Sequence, residues 1–153
     1  MQGAPFVPPT EIFRATRLDE DRILWVDPVA IQRKIEAVSG VESAQVSVEW
    51  PARVIVNMKE RVPAVAWMQG DQAVWVDAAG LVFERRADIP GLLPIQVDDA
   101  TAPLALATAE DETSHVPVAA IGGALQLKSL RTNIELLHYD SLHGLSYQDG
   151  RGW

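Results

Sequence analysis

Apolar and polar positions alternate most regularly between Gly40 and Glu60. Ala44, Val46, Val48 and Trp50 fall on one parity and Gln45, Ser47 and Glu49 on the other, the period of two of a half-buried strand. Pro51 and Ala52 supply a reversal, after which Val54, Val56 and Met58 face inward and Arg53, Asn57 and Lys59 outward. The pattern predicts a hairpin. Ahead of it the period lengthens. Asp27-Pro28 offers an acidic N-cap before a proline at the first helical position, and Val29, Ile31, Ile35 and Val38 predict the inner side of a helix from Pro28 to about Val38. Gln32, Arg33, Lys34 and Glu36 are then its solvated side, and Gly40 ends it in a left-handed conformation. Thr10 is placed to cap a shorter helix over Glu11 to Arg17, Ile23 to Val26 form an apolar connector, and Met1 to Pro9 predicts an extended lead-in.

From Ala64 onward the pattern is a β-meander: Ala64 to Met68, Ala73 to Val76 and Leu81 to Glu84, with turns at Gly70-Asp71 and at Asp77 to Gly80. A short apolar run follows from Leu92 to Val97. Asp98 to Pro117, rich in Ala, Thr, Pro and acid without a sustained period, predicts a loop. Val118 to Leu130 predicts an amphipathic helix, weakened by Gly122 and Gly123 at about 1 kcal/mol per glycine relative to alanine. Ile134 to Tyr139 and Leu145 to Tyr147 return to strand.

Two helices, a hairpin, the run Glu60-Arg61-Val62-Pro63 and then Ala64-Val65-Ala66-Trp67 together resemble the extracytoplasmic part of the FtsQ/DivIB family of bacterial cell-division proteins. The resemblance implies an α+β fold: a POTRA-like α-α-β-β unit over residues 10–62, its first strand missing or partial and preceded by the lead-in 1–9. A partial β-domain with one helix follows over 63–153, with an acidic loop at about 98–117. It also implies a noncatalytic scaffold without cofactor, single-pass in the cell membrane with this region extracytoplasmic. Such a scaffold binds FtsB-like and FtsL-like partners and regulates septal peptidoglycan synthesis. In that arrangement the strand from Ala44 to Trp50 lies at a sheet edge and Arg53 to Glu60 lies inside. Gln45, Ser47 and Glu49 then become candidate partner-binding residues, and proline at Ser47 would remove a ladder donor. The end of the chain looks like a strand pair before the final strands with which the family captures its FtsB-like partner. Leu145 and Tyr147 would then lie near an unpaired edge open to self-association.

Composition narrows the alternatives. With 153 residues, 48% hydrophobic, 22% charged and five Trp, the chain can bury a core. A net charge of -8 argues against nucleic acid and against simple docking to anionic lipid. Cysteine is absent, which excludes disulfides and thiol chemistry. No run approaches the roughly 18 to 20 apolar residues of a membrane span, and Met1 to Pro9 lacks the signal-peptide pattern. His138 and His143 flank Asp140 without a helical metal-ligand spacing, and His115 sits in the acidic loop. Asp98, Asp99 and Glu110 to Glu112 lack the calcium-loop order of an EF-hand. Glu49 and Glu60 fall on opposite strand faces, against a glycosidase pair, and Glu60 is placed to meet an arginine. Trp50, Trp67 and Trp75 read as core residues. Two rival functions remain: a POTRA module of an outer-membrane assembly or secretion factor, and an exported cell-wall hydrolase using Glu49 or Glu60.

Overall fold

The computed structural model describes residues 6–17, 27–49, 53–98 and 115–147; Trp25, Trp50, Trp153 and the acidic stretch 99–114 lie outside them. The chain divides into two compact units, one up to Arg61 and one from Val62.

The first unit contains α1 (Pro9–Thr16), α2 (Pro28–Glu36), β1 (Val41–Glu49) and β2 (Arg53–Glu60). Pro8, not Thr10, precedes the first turn of α1, and no side chain caps it. Pro9 at the first helical position has its φ preset and no N–H to satisfy, so the helix starts there and encloses Thr10. It stops at Arg17, whose φ of 50° is left-handed and costs a non-glycine residue about 1 kcal/mol. At α2 the expected cap is present: Asp27 Oδ1 accepts the Val29 N–H at 2.9 Å. The helix ends at Glu36, two residues short of the expected end. Val38 is nevertheless buried with Ile31 and Ile35, the i, i+4, i+7 stripe. Val29, expected inward, lies off that stripe and is 55% exposed.

After Gly40, in the left-handed region at φ 91°, the hairpin forms as the alternation predicts. β1 and β2 are antiparallel from Ala44↔Met58 to Glu49↔Arg53, with a bulge between Val41 and Ser43. Val7, Ile31, Ile35, Val38, Val41 and Ala44 make the core of this unit. The helices cover the near end of the ribbon; farther along, Val46 is half-buried and Val48, expected inward, is 40% exposed. Val7 is 1% exposed, so the lead-in contributes to the core instead of merely preceding it. The Phe6 and Val7 N–H groups donate to Glu60 Oε2 and Oε1 at 2.8 and 3.2 Å. The partner that the fold gives Glu60 is thus backbone rather than the expected arginine. The carboxylate satisfies two backbone N–H groups at the start of the described chain.

The second unit contains β3 (Val65–Gln69), β4 (Gln72–Val76), β5 (Val82–Glu84), β6 (Leu93–Val97), α3 (Val118–Leu130), β7 (Leu137–Asp140) and β8 (Gly144–Ser146). One six-stranded sheet runs β5-β4-β3-β6-β7-β8. The first three strands are the expected meander, but β6 pairs parallel with β3, and β7 parallel with β6. Parallel neighbours need a long crossover, and α3 lies within the one between β6 and β7. Helix α3 has the expected bounds but not the expected two-sidedness. It buries Ala120, Ile121 and Ala124 while leaving Val118, Leu125 and Leu130 exposed. Trp67 and Trp75 are buried as expected, Trp67 tilted against Tyr139 at 5.1 Å and Trp75 edge-on to Phe83 at 5.8 Å.

The far end of the predicted acidic loop is anchored. Val116 is 2% exposed in the core, its N–H donates to the Gly80 carbonyl at 2.9 Å, and His115 bridges to Leu81. Asp77 shapes the receiving turn by accepting the Ala79 and Leu81 N–H groups at 2.9 and 3.0 Å. Gly80 is required there twice over: φ is +85°, and a Cβ would stand 2.4 Å from the Val116 oxygen. Gly80→Ala is therefore expected to lower unfolding free energy by about 2 kcal/mol in urea denaturation. Gly122→Ala, in α3 with nothing within 4 Å of the new Cβ, is expected to raise it by about 0.5 to 1 kcal/mol.

Candidate interaction edges

Which backbone groups of β1 face β2, and which face away, follows from two hydrogen bonds. Arg61 N donates to Gly40 O at 2.8 Å, which makes Val41↔Glu60 a pair without direct ladder bonds. Ala44 N then turns away from β2, because it donates to Glu36 Oε1 at 3.1 Å, an atom that also accepts from Gln32 Nε2 at 3.1 Å. By alternation Gln45, Ser47 and Glu49 bond β2, while Val46 and Val48 aim their N–H and C=O groups away from it. Among the described residues no strand other than β2 pairs with β1. The unpaired stretch thus begins at Val46, after the position that Glu36 occupies.

Three corrections follow. Glu36, expected on the solvated side of its helix, is half-buried and tied to a strand. Strand β2, expected inside the sheet, has one strand partner among the described residues. Ser47 donates within the hairpin, so proline there would break the ribbon itself; the outward donors are at Val46 and Val48. Nothing in the sequence alone separates these two sets, because either parity of a hairpin can be the ladder-bonded one.

The candidate side chains Gln45, Ser47 and Glu49 are exposed on one face of β1. Glu49 lies 3.9 Å from Arg53 at the ribbon's tip and Glu42 2.7 Å from Lys59 near its base, exposed ion pairs of small energetic weight.

The other candidates lie at β8, which among the described residues pairs with β7 alone. Leu145 and Tyr147 are half-buried and turned onto the core. A Cβ on Gly123 would come 3.2 Å from Leu145 Cδ1, and the Arg131 guanidinium sits 5.5 Å from the Tyr147 ring centroid. What β8 offers outward is therefore backbone. Its register is set by the turn at Asp140, whose carboxylate accepts the Leu142 and His143 N–H groups at 2.8 and 2.9 Å and meets His143 Nδ1 at 2.9 Å. Those two backbone donors, and then the histidine, hold the Asp140 carboxyl below the usual carboxylate range.

The two acids of the hydrolase reading are not brought together. Glu60 is opposite Val41 and Glu49 opposite Arg53, so the two carboxylates sit at opposite ends of a ribbon whose length puts them roughly 20 Å or more apart. Glycosidase pairs stand about 5 to 10 Å apart. His138 Nδ1 meets Asp98 at 3.0 and 3.2 Å, and among the described residues no group of three or more His, Asp or Glu is arranged to hold a metal ion. No described helix is long and apolar enough to cross a membrane.

Helices packed on an antiparallel ribbon, closed by the Glu60 clamp, define the class of the first unit, and residues 1–61 match the family model described as POTRA domain, FtsQ-type. The chain is 32% identical over 76 residues to Cell division protein FtsQ of Mycobacteroides abscessus, a match covering 50% of this chain and 24% of that relative. Together the two findings support a cell-division protein of the FtsQ/DivIB family.

Glu36→Ala is expected to cost about 1 kcal/mol and to abolish hydrogen-exchange protection of the Ala44 amide while leaving that of Gln45 and Ser47 intact, as read by NMR. For Asp140 the sign is that of a depressed acid: its turn is fully bonded above the ordinary carboxylate pKa of about 3.9 and loosens as pH falls through the lowered value. The Leu142 and His143 amide shifts should therefore titrate with a midpoint below about 3.9, and Asp140→Asn should remove that transition.

Proposed function

We propose that the chain is a noncatalytic interaction module of a membrane-anchored cell-division protein. Its extracytoplasmic strand edges recruit FtsB-like and FtsL-like partners and so regulate septal peptidoglycan synthesis. The observation that carries this reading is the unpaired stretch of β1, where Val46 and Val48 aim backbone donors and acceptors away from β2. An extended partner segment adds to such an edge through main-chain bonds, with alternate side chains selecting it. Gln45, Ser47 and Glu49 supply that selection on one face and the partly uncovered Val46 and Val48 on the other. β8 is a second edge of the same kind, with Leu145 and Tyr147 holding it in place from beneath. The FtsQ-type match favours this role over a POTRA module of an outer-membrane assembly factor.

Val48→Pro removes an outward donor without touching the hairpin ladder. It is expected to weaken binding of the extracytoplasmic segments of division partners at least about tenfold by calorimetry, with the circular dichroism spectrum unchanged. Unchanged affinity for every such partner would place the binding surface elsewhere.

A further inference from the structure

The net charge of -8 conceals a segregated distribution. On the ribbon of the first unit cations are paired, Lys59 with Glu42 and Arg53 with Glu49. On the helices they are not. Arg14, Arg17, Arg33 and Lys34 are all exposed, and none has an ion-pair partner among the described residues. The carboxylates of the same helices, Glu11 and Glu36, are half-buried, and Asp27 is occupied as a cap. The connection between the helices carries Asp19, Glu20 and Asp21 and lies outside the described residues.

Helical geometry gathers these cations. At about 100° per residue, Phe13 and Arg14 bound an arc of about 100° on α1, and Arg17 follows at its C-cap. Val29, Ala30, Arg33 and Lys34 share about 140° on α2, opposite the buried Ile31 and Ile35. Ile12, Ala15, Ile31 and Ile35 all pack into one core cluster and α1 contacts α2, so both stripes face away from that core. Each stripe also carries an exposed apolar side chain, Phe13 at 65% and Val29 at 55%.

We propose that the outer face of α1 and α2 docks on an anionic bilayer surface, with the guanidinium and ammonium groups on lipid phosphates and Phe13 seated beneath the headgroups. Unpaired cations interleaved with exposed apolar groups and no exposed acid on either arc fit that interface better than an acidic protein surface, which would leave Phe13 and Val29 against charge. The described residues of α1 and α2 with their caps carry four cations, Arg14, Arg17, Arg33 and Lys34, against three carboxylates, Glu11, Asp27 and Glu36, a balance of +1 where the chain as a whole is -8. The proposal does not rest on the strand-edge reading, and either can fail alone.

The test is flotation of the full chain with vesicles of phosphatidylcholine alone or with added phosphatidylglycerol. Binding is expected with phosphatidylglycerol, is absent without it and is reversed by salt. Arg33→Glu with Lys34→Glu should lower the partition coefficient at least about 25-fold, near fivefold for each cation removed. Arg14→Lys with Arg33→Lys should retain it, and Phe13→Ser should weaken it without changing its salt dependence. Should the double Glu variant misfold by circular dichroism, Arg33→Gln with Lys34→Gln gives the same reading. No preference for phosphatidylglycerol, charge variants that bind like the parent, or tighter binding to polyglutamate than to vesicles would overturn the proposal.

Discussion

A two-stranded ribbon is marginal by itself in water, and the first unit depends on the stripe of α2 that lies against it. Ile31, Ile35 and Val38 meet Val41 and Ala44, and each large side chain so buried contributes about 1.5 to 3 kcal/mol. The stripe reaches only part of the way along β1. Where it stops, Val46 and Val48 begin to be exposed, and there too the outward backbone edge of β1 has no strand partner among the described residues. The packing that stabilises the ribbon therefore also sets the limits of the surface it can offer.

Two carboxylates finish what apolar packing leaves undone. Glu36 accepts the Ala44 N–H that would otherwise continue the open edge into the helix–strand junction. Glu60 accepts the N–H groups of Phe6 and Val7, which brings Val7 into the core. Each accepts backbone N–H groups from another segment of the chain, a role that carboxylates perform well because they accept several hydrogen bonds at once.

The second unit is organised around a crossover. Because β7 joins β6 in parallel, the chain must cross back between them, and the described part of that connection runs through Val116 and α3. The close approach of Val116 to Gly80 fixes where that crossover lands, and Gly123 lets Leu145 pack beneath α3. The β8 edge is consequently supported by its own side chains and presents main chain outward.

Much of the local structure was legible in the residues. Alternation from Ala44 to Glu60 determined the hairpin, Asp27-Pro28 the start of α2, and Gly70 and Gly80 the meander turns, because these depend on contacts a few residues apart. The order of those elements with the Glu60 to Trp67 run also pointed to the FtsQ/DivIB family. The partners of Glu36 and Glu60, the parallel placement of β6, the burial of Val116 and the direction in which Ser47 and Val48 point their N–H groups were decided only by tertiary structure. A periodicity states which residues share a face; it does not state which strand lies alongside or which of two equivalent parities is bonded. Those are set by contacts between segments distant in the chain.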